Sequence, residues 1–150
     1  MAVTHMLTIS DQATLLRWAA ERIGLPDGWV ADSQAMGVLE RETGRIAAVG
    51  VLNMFHDQGA WIHIASDRSK RWASTEILAG MFAYPFLHLR LRRVTARIAA
   101  DNAEALAFAL KLGFRVEGVE RRGFFNRDVC LFGMLAEECI WIQTKEEEAA

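Results

Sequence analysis

The chain has 150 residues, 52% of them hydrophobic and 24% charged, the size and balance of one globular domain around one core. A formal charge of −2 argues against a general nucleic-acid binder, because phosphate-tracking proteins carry a basic excess. No stretch approaches the roughly 20 apolar residues that span a bilayer, and Met1 to Ile9 lacks the basic-then-apolar order of a signal peptide, so no membrane partner and a cytoplasmic location are expected.

Met6 to Ile9 alternates briefly, and Ser10 then offers a hydroxyl cap to a helix over Asp11 to Ile23, with Leu15, Leu16, Ala19, Ala20 and Ile23 at helical spacing. Gly24, Pro26, Asp27 and Gly28 stop it, and Trp29 to Ser33 forms at most a short turn. Ala35 to Glu40, Arg45 to Phe55 and Ala60 to Ser66, separated by Arg41-Glu42-Thr43-Gly44 and His56-Asp57-Gln58-Gly59, read as an antiparallel meander. Trp72 to His88 reads as a helix with a broad apolar face, which Pro85 should kink or end early.

Arg93 to Ala99 alternates as a strand, Asp101 or Asn102 caps a helix running through Leu112, and Gly113 ends it. Phe114 to Phe124 and Asp128 to Met134 close the domain as a hairpin. The strand–helix–strand crossover from Ile64 to Ile98 demands a parallel pair within this otherwise antiparallel set. Residues 1–144 are expected to form the domain and 145–150 a disordered acidic tail.

Asn102-Ala103-Glu104-Ala105-Leu106-Ala107-Phe108-Ala109-Leu110-Lys111-Leu112-Gly113-Phe114-Arg115-Val116-Glu117-Gly118 resembles the signature of the GNAT acetyltransferase superfamily: Asn, a helix, Lys-Leu-Gly-Phe, then Glu-Gly. Ser74-Thr75-Glu76-Ile77-Leu78, Tyr84-Pro85-Phe86 and Asp128-Val129-Cys130-Leu131-Phe132-Gly133-Met134-Leu135 are similar to its RimJ/RimL branch, which acetylates protein N-termini; the resemblance spans about Ala35 to Leu135. It implies an α/β (α+β) fold: a mixed, mostly antiparallel sheet of six or seven strands with a central splayed parallel pair, flanked by about four helices.

The implied activity is acetyl-CoA-dependent N-acetylation of a primary amine, with a small-molecule amine or a protein N-terminus as acceptor. The cosubstrate would lie against Ile62, Ile64 and Ala65, its pyrophosphate on the helix start near Arg68, Lys70, Arg71, Trp72, Ala73 and Ser74, with Asn102 and Phe108 contributing from the next helix. Asn102 also suits a plain helix cap, and the three cations a solvated basic turn. The family's Gln/Arg-x-x-Gly-x-Gly/Ala loop appears here only as Arg68-x-x-Arg71-x-Ala73 or as Trp72-Ala73-Ser74, without glycine. The Tyr that many members place before Lys-Leu-Gly-Phe is Ala109 here, as it also often is absent from the RimJ/RimL branch.

His63, mid-strand beside the implied acetyl site, is the candidate base, with Glu40 as a second; a core histidine and a hairpin-edge carboxylate are the plain alternatives. A domain that keeps the fold but binds weakly, acting as a binding or structural component, remains the competing reading, and Trp72 near the loop leaves room for another acyl-CoA donor. His5, His56 and His88 lack metal-ligand spacing with either cysteine, so no metal is expected, and Cys130 and Cys139 should be free thiols. Arg90, Arg92, Arg93 and Arg97 suit a solvated turn and edge, or a grip on an acidic partner. Ile140-Trp141-Ile142 would serve a homodimer contact or pack on its own domain.

Overall fold

The computed structural model describes residues 4–143. The acidic tail expected over 145–150 lies outside the described residues. Among the described residues seven strands form one sheet in the order β1-β2-β3-β4-β5-β7-β6. They are β1 (His5–Thr8), β2 (Gln34–Glu40), β3 (Ile46–His56), β4 (Gly59–Ser66), β5 (Arg93–Ala99), β6 (Arg115–Phe124) and β7 (Arg127–Leu135). Every neighbouring pair is antiparallel except β4 and β5. The crossover between those two contains α2 (Thr75–Ala83), as a parallel connection requires.

Helix α1 (Gln12–Ile23) covers one face of the sheet, where Leu15 and Ala19 meet Ala35, Val49, Val51 and Ala65. Helices α2 and α3 (Ala103–Leu112) cover the other, over a larger core that includes Met36, Leu52, Ile62, Phe82, Phe132 and Met134. Strand alternation sorts β4 accordingly: Ile62 and Ile64 join the α2/α3 core, and Ala65 the α1 core.

The local signals hold with three adjustments. Helix α1 is capped by Asp11 rather than Ser10: Asp11 sits at φ 58°, and its carboxylate accepts from the Thr14 backbone N–H at 3.3 Å. Ser10 instead donates its backbone N–H to Thr8 Oγ1. Helix α2 begins at Thr75 behind a Ser74 cap, so Trp72 belongs to the loop before it. Pro85, lacking an N–H, does not stop the chain but widens it into a π-helical turn over Tyr84–His88, closed by the Leu89 N–H on the Tyr84 carbonyl. Among the described residues three α-helices, this turn and a 3₁₀ turn at Ala136–Glu138 therefore stand where about four helices were expected.

At the C-terminal end Trp141 donates its indole N–H to the Leu112 carbonyl at 2.8 Å, and Trp141 and Ile142 pack on the core while Ile140 stays exposed. Two of the three residues considered for a dimer contact thus serve their own domain. Both cysteines are free, and burial pushes the Cys139 thiol up. Among the described residues no helix is long and apolar enough to cross a membrane.

Candidate functional site

The central feature is a gap in the sheet. Strands β4 and β5 pair only at Gly59↔Arg93, Ala60↔Val94 and Trp61↔Thr95. Beyond these, β4 keeps β3 as a partner to Ala48↔Ser66, and β5 keeps β7 to Ala99↔Val129. The inner edges of Ile62 to Ser66 and Ala96 to Ala99 therefore face each other without ladder hydrogen bonds, leaving alternate backbone N–H and C=O groups for water or a ligand. Toward α2 and α3 the walls are Ile62, Ile64, Ala96 and Ile98. Toward α1 they are Trp61, His63 and Arg97.

The loop leaving β4 contains no glycine between Asp67 and Ser74. Arg68 and Lys70 both take left-handed backbone conformations, φ 73° and 56°, of the kind that ordinarily favour glycine. Side chains hold them there: the Asp67 carboxylate accepts from the backbone N–H and the hydroxyl of Ser69, Ser66 Oγ accepts from the Arg68 N–H, and Ser69 Oγ accepts from the Arg71 N–H. Those contacts, with Arg45 nearby, hold the Asp67 carboxyl below the usual range, against a desolvation effect that would raise it.

Ser74 Oγ then accepts the Ile77 N–H, which leaves the first-turn amides of Thr75 and Glu76 pointing out of α2. Lys70 reaches across to α3, 3.6 Å from Glu104 Oε1 and 4.8 Å from the Phe108 ring centroid. Arg68 and Arg71 are exposed, and Ala73 and Ser74 half-buried. Trp72 is not on this surface: it is fully buried, edge-on to Phe108 at 5.9 Å, with an indole N–H that has no partner among the described residues.

Asn102 lies three residues past the end of β5, at the open end of the gap, and its Oδ1 accepts the Ala105 N–H as the α3 cap. Glu40 lies two strands away from the gap, held by Thr43 Oγ1 at 3.0 Å and Arg45 Nη2 at 3.3 Å in the β2–β3 hairpin. His63, by contrast, is on the gap wall. Its Nε2 is 3.0 Å from Asn53 Oδ1, and its ring packs against Trp29 at 5.2 Å. Burial first, and then the Arg97 charge, lower its pKa to about 4, so the imidazole is neutral near pH 7 and is a weak base.

Arg97 is itself clamped, its guanidinium 5.0 Å from the Trp61 ring centroid and 4.8 Å from that of Phe124, with Nε 3.1 Å from Glu120 Oε1. Arg93 pairs likewise with Glu117 at 2.7 Å, which makes two of the four arginines of the basic cluster structural. Sequence reasoning missed Asn53, Arg97, Trp61 and Trp29 as site residues. The signal for Asn53 was present, a lone amide closing the apolar run Val49-Gly50-Val51-Leu52. On the α1 side a cavity of about 850 Å³, lined by Leu16, Ala20, Leu25, Pro26, Trp29 and Ser33 among others, lies behind the same Trp29 ring.

No curated protein matches the sequence. Solved structures do match in fold. A variant of the spermidine N-acetyltransferase of Vibrio cholerae is 14% identical with a TM-score of 0.76, covering 93% of this chain and 97% of its own. A dodecameric structure of the Vibrio cholerae enzyme gives 14%, 0.73, 89% and 95%. The ribosomal-protein-S5-alanine acetyltransferase of Vibrio fischeri gives 10%, 0.73, 93% and 97%. The family model described as "Acetyltransferase (GNAT) domain" matches residues 2–115, the segment that carries the parallel pair, its gap and the loop into α2. The chain belongs to the GNAT acetyltransferase family.

Proposed function

We propose that the chain transfers an acetyl group from acetyl-CoA to a primary amine, with a protein or peptide N-terminus as the preferred acceptor. The observation that carries the reading is the gap between β4 and β5, whose unpaired backbone edges suit an amide-rich linear ligand such as pantetheine. The loop supports it: with Arg68 and Lys70 in left-handed conformations and the Thr75 and Glu76 amides directed outward, the start of α2 suits a pyrophosphate. Acetyl-CoA supplies the acyl group as a thioester, which an amine converts to an amide with release of the thiol.

In this reading Ile62 and Ile64 line the apolar side of the pantetheine arm, Lys70 and Arg71 answer the phosphate charge, and Asn102 holds the α3 start at the mouth. The acceptor enters from the α1 face, where Trp29, Trp61, His63 and Arg97 stand. Among the described residues no strong base faces that entrance, so in this reading the amine arrives neutral. An α-amine of pKa near 8 is about one-tenth neutral at pH 7, whereas an amine near 10.4 is neutral in well under one molecule in a thousand. This favours a chain N-terminus over a lysine-like or polyamine acceptor.

The test is mass-spectrometric detection of acetylated product from acetyl-CoA with an alanine-initiated peptide and, separately, spermidine. The peptide is expected to be the better acceptor, and Lys70→Glu is expected to raise KM for acetyl-CoA about tenfold, the scale of one lost charge-assisted contact. Absence of product with both amines would favour the competing reading, a family fold retained for binding.

A further inference from the structure

We propose that Asn53 is a positioning residue: its side-chain carbonyl fixes His63 in the Nε2–H tautomer, leaving the Nδ1 lone pair to accept a hydrogen bond from the incoming amine. The orienting half of this inference rests on the acetyl-transfer reading above; the tautomer half does not.

Asn53 is the one buried polar side chain among the described residues, 4% exposed in a strand whose preceding residues are all apolar. Burying an amide is costly unless both ends are used, and here both are: Oδ1 faces His63 Nε2 at 3.0 Å, and Nδ2 donates to Ser33 Oγ at 3.2 Å. With the amide oriented as it stands, Oδ1 toward the ring, the nitrogen it faces carries the hydrogen and the other ring nitrogen keeps its lone pair.

The surroundings hold this arrangement from three sides. Directly after Asn53 the β3–β4 register shifts, with Met54 at φ 51°, and the Asp32 carboxylate accepts from the Met54 and Phe55 N–H groups at 3.2 and 3.0 Å. Asp32 and Ser33 are neighbours, so one turn pins both the bulge and the amide. On the far side the Trp29 ring backs the imidazole and is itself tied down by its N–H on the Leu16 carbonyl at 2.8 Å. A core histidine needing only satisfaction would not require a fixed bulge, a dedicated amide and an aromatic backstop.

His63 Nδ1 makes no hydrogen bond within the described residues, and the residue is only half-buried. The charged group facing the ring is Arg97 on β5, which together with burial keeps the imidazole neutral. A neutral ring with a fixed lone pair orients an amine N–H without competing for the amine's own lone pair, which must stay free to attack the acyl carbon.

The experiment is long-range ¹H–¹⁵N correlation on protein labelled with ¹⁵N-histidine near pH 7, combined with peptide acetylation kinetics and acetyl-CoA-induced thermal shifts. His63 is expected to show a protonated Nε2 and an unprotonated Nδ1. Asn53→Ala is expected to mix the tautomers and lower kcat/KM for the peptide about tenfold, the scale of one net hydrogen bond, while the acetyl-CoA thermal shift is kept. Asn53→Asp, which preserves shape and an acceptor, is expected to keep the tautomer and raise the His63 titration midpoint; it carries the test if the alanine variant does not fold. An Nδ1–H tautomer in the parent protein, or an unchanged tautomer in Asn53→Ala, overturns the inference while leaving acetyl transfer intact. A parent protein that acetyl-CoA does not stabilise sinks the acetyl-transfer reading, and the orienting role with it.

Discussion

Trp72→Ala is expected to destabilise the domain by about 3–5 kcal/mol, a fall in Tm of roughly 10 °C or more. The indole is fully buried, meets Phe108 edge-on at 5.9 Å and anchors the loop in which Arg68 and Lys70 hold left-handed conformations. Removing it opens a cavity in the larger core beside Phe108 of α3 and unseats the stretch that leads into α2. Trp72→Phe is expected to cost far less, because the ring packing largely persists and the variant removes an enclosed N–H that has no partner, a group whose burial costs about 1–3 kcal/mol. Urea denaturation of both variants checks this. Equal losses would mean that the indole N–H is doing unrecognised work.

Stability is expected to fall by about 2 kcal/mol between pH 7 and pH 5 through His63 alone, given its folded pKa of about 4 against 6.5 in the unfolded chain. Between those two values the unfolded chain binds the extra proton and the folded one does not, so acidification favours unfolding. The loss begins near pH 6.5 and is complete below about pH 4. Asp67, whose folded pKa is lowered by its Ser69 contacts and Arg45, loses its stabilising contribution only at lower pH, outside this window. Replacing His63 with Gln should flatten the pH 7 to 5 slope measured by urea denaturation. An unchanged slope in that variant would place the histidine in a solvated setting.

The element order was legible because each signal is local: turn residues between strands, a Pro in a helix end, Asn102 and Gly113 bracketing α3. The parallel pair followed from connectivity, since a strand–helix–strand crossover leaves no other pairing. What the sequence hid depends on distant partners. The left-handed turns of the glycine-free loop were among these: Arg68 and Lys70 adopt them where Asp67, Ser66 and Ser69 bond the loop amides. Side-chain identity at 68 and 70 gives no hint of that. Trp72, counted among the cofactor contacts, is held by the core, since a ring of that size buries more favourably against Phe108 than beside a solvated loop. His63 was visible as a mid-strand histidine; its neutrality was not, because it comes from burial and from Arg97 on another strand. Glu40, weighed as a second base or as a hairpin-edge carboxylate, sits in the second setting, with Arg45 and Thr43 on its carboxylate.

The claim on which the functional account depends is that pantetheine lies along the unpaired edges of Ile62 to Ser66 and Ala96 to Ala99. A thermal-shift titration with acetyl-CoA tests it most directly. Cosubstrate at about 100 times its Kd should stabilise the fold by roughly 2.7 kcal/mol, a Tm rise of about 5–10 °C for a domain of this size, and Lys70→Glu should move the titration to higher concentration. A Tm unchanged at millimolar acetyl-CoA would contradict the account.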